Sequence, residues 1–239
     1  MIALDGVTKS FGARRLLDGV SLRAGRGETV GLIGTAGAGK SVLAKILCGL
    51  IQPDAGSARI DLGSAARGGA ASPIGMLFQN NALFDFMTVG DNVAFPLTQR
   101  AALPADEIRA RVSERLRAVG LAGSEDKFPN QLSGGMKKRA ALARAVIARP
   151  PVCIFDEPTA GLDPVTTSKI YDLLRHERDA SGATVLIISS DVDALRLFAP
   201  RVAMLHGGRL RYDGPADTIA DSDDPVVRQF VRGALEGPL

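Results

Sequence analysis

The sequence holds no tryptophan, only two cysteines and two histidines, and just nine phenylalanines and two tyrosines among 239 residues. So few flat aromatic faces leave little for stacking on bases. The net charge of +3 is the small difference between 29 basic and 26 acidic residues spread along the chain. A nucleic-acid-binding role, which needs clustered cations and aromatic platforms, is not expected. Cys48 and Cys153 both lie inside apolar runs, where a thiol behaves as a small hydrophobe, so no disulfide framework is called for and a reducing compartment is the simpler reading. No segment reaches the ~18 consecutive apolar residues of a membrane span, and the N-terminus shows no signal-peptide pattern. The expectation is a cytosolic protein that reaches a membrane only through a partner.

What is present is an α/β pattern, in a chain long enough to bury a substantial core. Short β-like pieces at Ile2 to Val7, Leu16 to Leu22 and Thr29 to Ile33 are separated by Gly12, Gly25 and Gly27. "ETVGLIG" then runs into "TAGAGKSVLAKILCGL", reading as strand, glycine loop and helix, closed by the turn signal "QPDAG" at 52 to 56. "GSAARGGAASP", 63 to 73, reads as a surface connection. From Gln79 to about Ala148 the pattern turns helical. In "PADEIRARVSERLRAVGL" the apolar Ile108, Val112, Leu116 and Val119 recur at helical spacing, with acidic residues first and arginines after, as the helix dipole prefers. The strand signal returns at "VCIFDEP", followed by a helix around Ile170 to Leu174, a strand at 184 to 188 and a hairpin about Gly207 and Gly208.

"GTAGAGKS", Gly34 to Ser41, fits the phosphate-loop pattern G-x-x-x-x-G-K-[ST] in its proper context, after a strand and opening a helix. A triphosphate is a dense anion and needs a concave array of backbone N–H groups, which small residues let approach. Gly37 and Gly39 supply that freedom, Lys40 a charge for the β- and γ-phosphates, and Ser41 a hydroxyl for Mg²⁺. "VCIFDEP" ends an apolar strand in two carboxylates, which repel one another unless a cation is near. Mg²⁺ held through water by Asp156 answers this and leaves Glu157 to polarise an attacking water. Without the phosphate loop, the same "DE" would read as an acidic helix start.

"QLSGGMKKRAALARA", 131 to 145, about twenty residues before that strand, resembles the signature of the nucleotide-binding subunit of ABC transporters, and the likeness runs along almost the whole chain. The resemblance implies a P-loop ABC nucleotide-binding fold with an antiparallel β subdomain and an inserted helical subdomain. Within one domain, residues 1–78 and 149–215 would form the RecA-like core with the β subdomain, 79–148 the helical subdomain, and 216–239 a helical tail. It also implies the site. Phe11 would stack on adenine. Gly34, Thr35, Ala36, Gly37, Ala38, Gly39, Lys40 and Ser41 would hold ATP, and Gln79 would be the Q-loop glutamine that joins Ser41 and Asp156 at Mg²⁺. Ser133, Gly134 and Gly135 are the signature, with Met136 where glutamine is commonest; Glu157 is the catalytic base and Asp163 belongs to the D-loop. The signature is half a site, a serine and glycine amides at a helix start, and the chain already has its own phosphate loop. The resemblance resolves the redundancy: two copies pack head to tail, each closing over the other's ATP, and hydrolysis releases them.

The segment "NNALFDFMTVGDNVAFPL" carries Leu83, Phe84, Phe86, Met87, Phe95 and Leu97, too many apolar groups for a short, turn-broken surface stretch. Part of it serves the subdomain's own core; in ABC subunits the region from Gln79 to Leu97 also receives a membrane permease. With "LSGGM" and the tail "DDPVVRQFVRGALEGPL", it resembles the ATPase of Mla-type phospholipid transporters, whose partners include a permease, a STAS-domain protein and an MCE-domain lipid carrier. That resemblance places the protein on the cytoplasmic face of the inner membrane. A soluble translation or repair ATPase is the weaker alternative, because there is one nucleotide domain and no coiled-coil insertion. A third reading, an ATP-gated dimerisation switch with little hydrolysis, rests on "LIISSD": where the family reads Ser-His-Asp this chain has Ser189, Ser190 and Asp191, so Ser190 occupies the switch-histidine position. His176 and His206 lie in a polar helix and the terminal hairpin and read as surface or packing residues.

Overall fold

A computed structural model describes residues 1–62, 74–99 and 103–239. The glycine- and alanine-rich stretch 63–73 lies outside the described residues. The chain divides into two compact units, Met1–Asp61 with Thr184–Leu239, and Leu62–Ala183.

In the first unit, β1 (Ile2–Phe11) pairs antiparallel with β2 (Arg14–Ala24) on one side and β4 (Ala55–Ile60) on the other. Beside this three-stranded sheet runs a second strand set, β7 (Thr184–Ile188), β3 (Thr29–Gly34), β8 (Arg201–His206) and β9 (Arg209–Pro215), in that spatial order. The first three are parallel and β9 turns back antiparallel across the hairpin expected at Gly207 and Gly208. Every residue of β3 and β7 is buried, which is why both read as unbroken apolar runs rather than alternating ones. Three α-helices, α1 (Lys40–Leu47), α6 (Val192–Phe198) and α7 (Pro225–Arg232), and a 3-10 turn at Ile219–Asp221 complete the unit.

Among its described residues the second unit has two parallel strands, β5 (Ile74–Leu77) and β6 (Val152–Asp156). Its helices are α2 (Val89–Thr98), α3 (Ala105–Ala118), α4 (Gly134–Val146) and α5 (Pro164–Ser181). Val112, Leu116 and Val119 sit in a core with Val89, Val93, Leu97, Ala140, Ala143 and Ile147, as the helical spacing requires. Two features differ from the sequence reading. The stretch read as turn-broken is so only over 80–88; from Val89 on it forms helix α2, because Thr88 caps its start by accepting from the Asp91 N–H at 3.1 Å and Pro96 falls late in the helix. And β4 and β5 carry no strand periodicity, since "AGSARI" has one large apolar residue and β5 is four residues long.

Candidate active site

The residues singled out by sequence fall on both units. The first holds Phe11, the phosphate loop and Ser190; the second holds Gln79, the signature, Asp156, Glu157 and Asp163.

The phosphate loop leaves the end of β3 and enters α1. Gly34 has φ 148°, and a β-carbon there would stand 2.0 Å from the Leu205 carbonyl oxygen on β8, so no other residue fits. Gly39, at φ 104°, caps α1 with no side chain, and the first turn of α1 contains no acidic residue. No carboxylate of that turn therefore competes for its leading N–H groups, which can donate to an anion. Lys40 Nζ reaches back across the loop to the carbonyls of Gly34 at 2.7 Å and Thr35 at 3.1 Å. The Thr35 hydroxyl lies 3.3 Å from Nδ1 of His206, which places that histidine at the loop rather than on open surface. Ala36 and Gly37 are exposed at the tip, while Ala38 is buried beneath it.

Phe11 ends β1 with 51% of its surface exposed. Lys9 Nζ lies 5.6 Å from its ring centroid and pairs with Asp54 at 2.7 Å, and Asp54 also accepts the Ser10 N–H. The exposed ring is thereby held on a fixed strand end, ready to take a planar ligand.

β7 runs beside β3 with Leu32 opposite Ile188, so the strand tips bearing Gly34 and Ser190 lie side by side. Ser189 is fully buried; its N–H donates to the Leu32 carbonyl and its hydroxyl accepts from the Asp191 N–H. Asp191 caps α6 by accepting from the Ala194 N–H at 3.0 Å. Ser190 and Asp191 are both exposed, but the Asp191 carboxylate is taken up by its cap on α6.

In the second unit Gln79 follows β5 on an exposed turn. Asn92, fully buried, accepts from the Phe84 N–H at 2.8 Å and donates to the carbonyls of Phe84, Met87 and Thr88. Arg144 of α4 donates to the Asn81 carbonyl at 3.0 Å and lies over the Phe84 ring, with burial lowering its pKa. The segment after Gln79 is therefore fastened by two side chains that belong to none of the sequence motifs. Leu97 joins the core, Phe86 is 78% exposed, and Phe84 and Phe95 line a cavity of about 410 Å³ with Met76, Phe78 and Pro96.

Ser133 caps α4, accepting from the Met136 N–H at 3.3 Å, and the first turn again lacks an acidic residue. The hydroxyl keeps its own proton for donation. Asp156 ends β6 buried, and Glu157 follows with φ 53°, a left-handed backbone rare outside glycine. Lys138 of α4 donates to the carbonyls of Glu157 and Ala160; burial lowers its pKa against the opposing pull of Glu157 and Asp156. Asp163 caps α5 by accepting from both the N–H and hydroxyl of Thr166, which keeps its carboxyl below the usual range.

Burial pushes the Cys48 thiol up to about 11 and that of Cys153 to about 12. Both are packing residues, as their apolar neighbourhoods implied. Among the described residues no cluster of three or more His, Cys, Asp or Glu could hold a metal ion. Ser41 in the first unit carries a hydroxyl, and Gln79 and Asp156 in the second an amide and a buried carboxylate; each is a hard oxygen donor of the kind that suits Mg²⁺. No helix among the described residues is long and apolar enough to cross a membrane.

Residues 17–160 match the family model described as ABC transporter. The chain is 41% identical over 244 residues to the probable ribonucleotide transport ATP-binding protein mkl of Mycobacterium leprae, covering all of this chain and 70% of that protein. It is 35% identical over 245 residues to the intermembrane phospholipid transport system ATP-binding protein MlaF of Escherichia coli strain K12, covering all of this chain and 91% of the relative. Among solved structures, the dimeric post-hydrolysis ATP-binding cassette MJ0796 bound to ADP and Pi superposes with a TM-score of 0.80 at 33% identity, over 90% of this chain and 99% of that one. With its phosphate loop, its signature helix and its cassette fold, the chain belongs to the ABC transporter family as an ATP-binding subunit.

Proposed function

We propose that the protein is the ATP-hydrolysing motor of a phospholipid transporter of the Mla type, working as a head-to-tail pair on the cytoplasmic face of the inner membrane. The observation that carries this reading is the presence of two anion-receiving helix starts on one chain, α1 entered through Gly39 and α4 entered through Ser133, neither with an acid in its first turn. One nucleotide per chain needs only one of them; the other is matched by a second copy. The dimeric MJ0796 cassette supports this arrangement.

In this reading Phe11 stacks on adenine, and the backbone N–H groups from Thr35 to Ser41 surround the phosphates. Lys40 exchanges its two loop carbonyls for phosphate oxygens. Ser41, Gln79 and Asp156 hold Mg²⁺, which when bound neutralises phosphate charge. Glu157 accepts a proton from the attacking water, and Asp163 keeps the start of α5 in place beside the opposing subunit. Ser133, Gly134 and Gly135 donate to the γ-phosphate of the partner's ATP. Ser190 takes the place of the switch histidine; its hydroxyl ends several bonds short of an imidazole nitrogen, so turnover is slow while binding and dimerisation persist.

Docking of a permease over the Phe84–Phe95 cavity and exposed Phe86 is supported by an apolar surface that the unit's own core leaves uncovered. Similarity to MlaF supports a phospholipid cargo, with a STAS-domain protein and an MCE-domain carrier as further partners. The relative mkl, whose name refers to ribonucleotides, supplies the competing cargo. Reconstitution in vesicles with a membrane protein that co-purifies with the chain decides between them: ATP-dependent movement of labelled phospholipid is expected, and movement of a labelled ribonucleotide instead contradicts the lipid assignment. A second reading, an ATP-gated switch that scarcely hydrolyses, is favoured by Ser190 alone.

A further inference from the structure

Lys138 lies on α4, five residues beyond Ser133, and its side chain turns inward, leaving the residue 7% exposed. A buried ammonium is costly unless its donors are used. Two of its three are: Nζ donates to the Glu157 carbonyl at 2.9 Å and to the Ala160 carbonyl at 2.7 Å. These are the first and last residues of one turn, closed by the Ala160 N–H reaching the same Glu157 carbonyl at 3.4 Å. Within that turn Glu157 holds φ 53°, a conformation that a non-glycine residue keeps only where its surroundings over-determine it. Lys138 is the charged side chain that grips this turn at both ends.

We propose that Lys138 is a positioning residue for hydrolysis: by holding the Glu157–Ala160 turn it fixes the left-handed backbone of Glu157 and so the direction of its carboxylate. The inference rests on Glu157 being the base. Because the grip starts from the helix that begins with Ser133, it ties the stretch that receives one nucleotide to the base that serves the other. Its absence takes the ammonium from the Ala160 carbonyl and leaves the Glu157 carbonyl with only the 3.4 Å contact to the Ala160 N–H, which lets the turn relax toward an ordinary backbone and displaces the carboxylate. A displacement of about 1 Å at a reacting group costs on the order of 10²-fold in rate.

The test compares Lys138→Met, Lys138→Arg and Glu157→Gln in the full chain, by single-turnover phosphate release and by fluorescent-ATP titration. Lys138→Met is expected to slow release on the order of 10- to 100-fold while nucleotide affinity stays within about twofold, and Lys138→Arg, which keeps the donors, to recover most of the rate. Added to Glu157→Gln, Lys138→Met should change the residual rate less than about twofold, because no base remains to misplace. A Lys138→Met protein with unchanged release overturns the proposal, as does equal slowing in both backgrounds, the mark of a purely structural residue. Should the methionine variant fail to fold, Lys138→Gln, which retains an amide donor, takes its place in the same comparison. Glu157→Gln hydrolysing at the unmodified rate would instead remove Glu157 as the base, whatever the lysine variants do.

Discussion

Asn92 holds Phe84 by both of its backbone groups, accepting from the N–H at 2.8 Å and donating to the carbonyl at 3.0 Å. The same amide donates to Met87 and Thr88, so one fully buried side chain ties the segment after Gln79 to the first turn of α2. Replacing Asn92 with alanine takes the partner from the Phe84 N–H and the Met87 carbonyl in a dry site, while the carbonyls of Phe84 and Thr88 keep the backbone N–H groups of Met87 and of residue 92, at about 2–4 kcal/mol of stability. Urea unfolding should show the unfolding free energy lower by that amount, through a lower midpoint at unchanged slope, and a midpoint within error of the parent contradicts the assignment.

Phe11 gives a second prediction. Its ring is exposed and flanked by Lys9 but has little packing of its own to lose. Phe11→Ala should weaken ATP binding roughly tenfold, the value of one aromatic stack, while Phe11→Tyr stays near the parent. Fluorescent-nucleotide titration of both, with melting temperatures as control, separates a lost adenine platform from a damaged strand.

Acid sensitivity follows from Asp5. Hydrogen bonds from Arg23 of β2 and from Arg59 of β4 lower its pKa from the ordinary 3.8. A carboxylate whose folded-state pKa is lowered contributes stability that is complete above the unfolded value and fades as pH falls through the folded one. The melting-temperature gap between the parent and Asp5→Asn should therefore be constant near neutrality and close below about pH 4. A gap that persists unchanged in acid shows that the three-stranded sheet does not draw on this pair of arginines.

The phosphate loop, the carboxylate pair and the signature were legible because each is a fixed spacing of residue types that chemistry demands together. The strand-tip serines were legible for the same reason, as a departure from an expected triplet. Asn92, Arg144 and Lys138 were not, because their partners are backbone carbonyls, which leave no letter in a sequence. His206 escaped for a related cause: it meets Thr35 only because β8 pairs with β3, and Thr35 stands at a variable position of the loop pattern. Helix α2 was hidden by its glycine and proline, and its Thr88 cap is visible only once the helix is known.

The account turns on Ser190 at the strand tip beside Gly34, and it is tested most directly by steady-state phosphate release from the parent, Ser190→His and Glu157→Gln proteins in the assembled transporter. Restoring one preorganised donor to the γ-phosphate should raise turnover at least about tenfold over the parent, with Glu157→Gln inactive. A parent that already hydrolyses briskly, and to which the histidine adds nothing, contradicts the account.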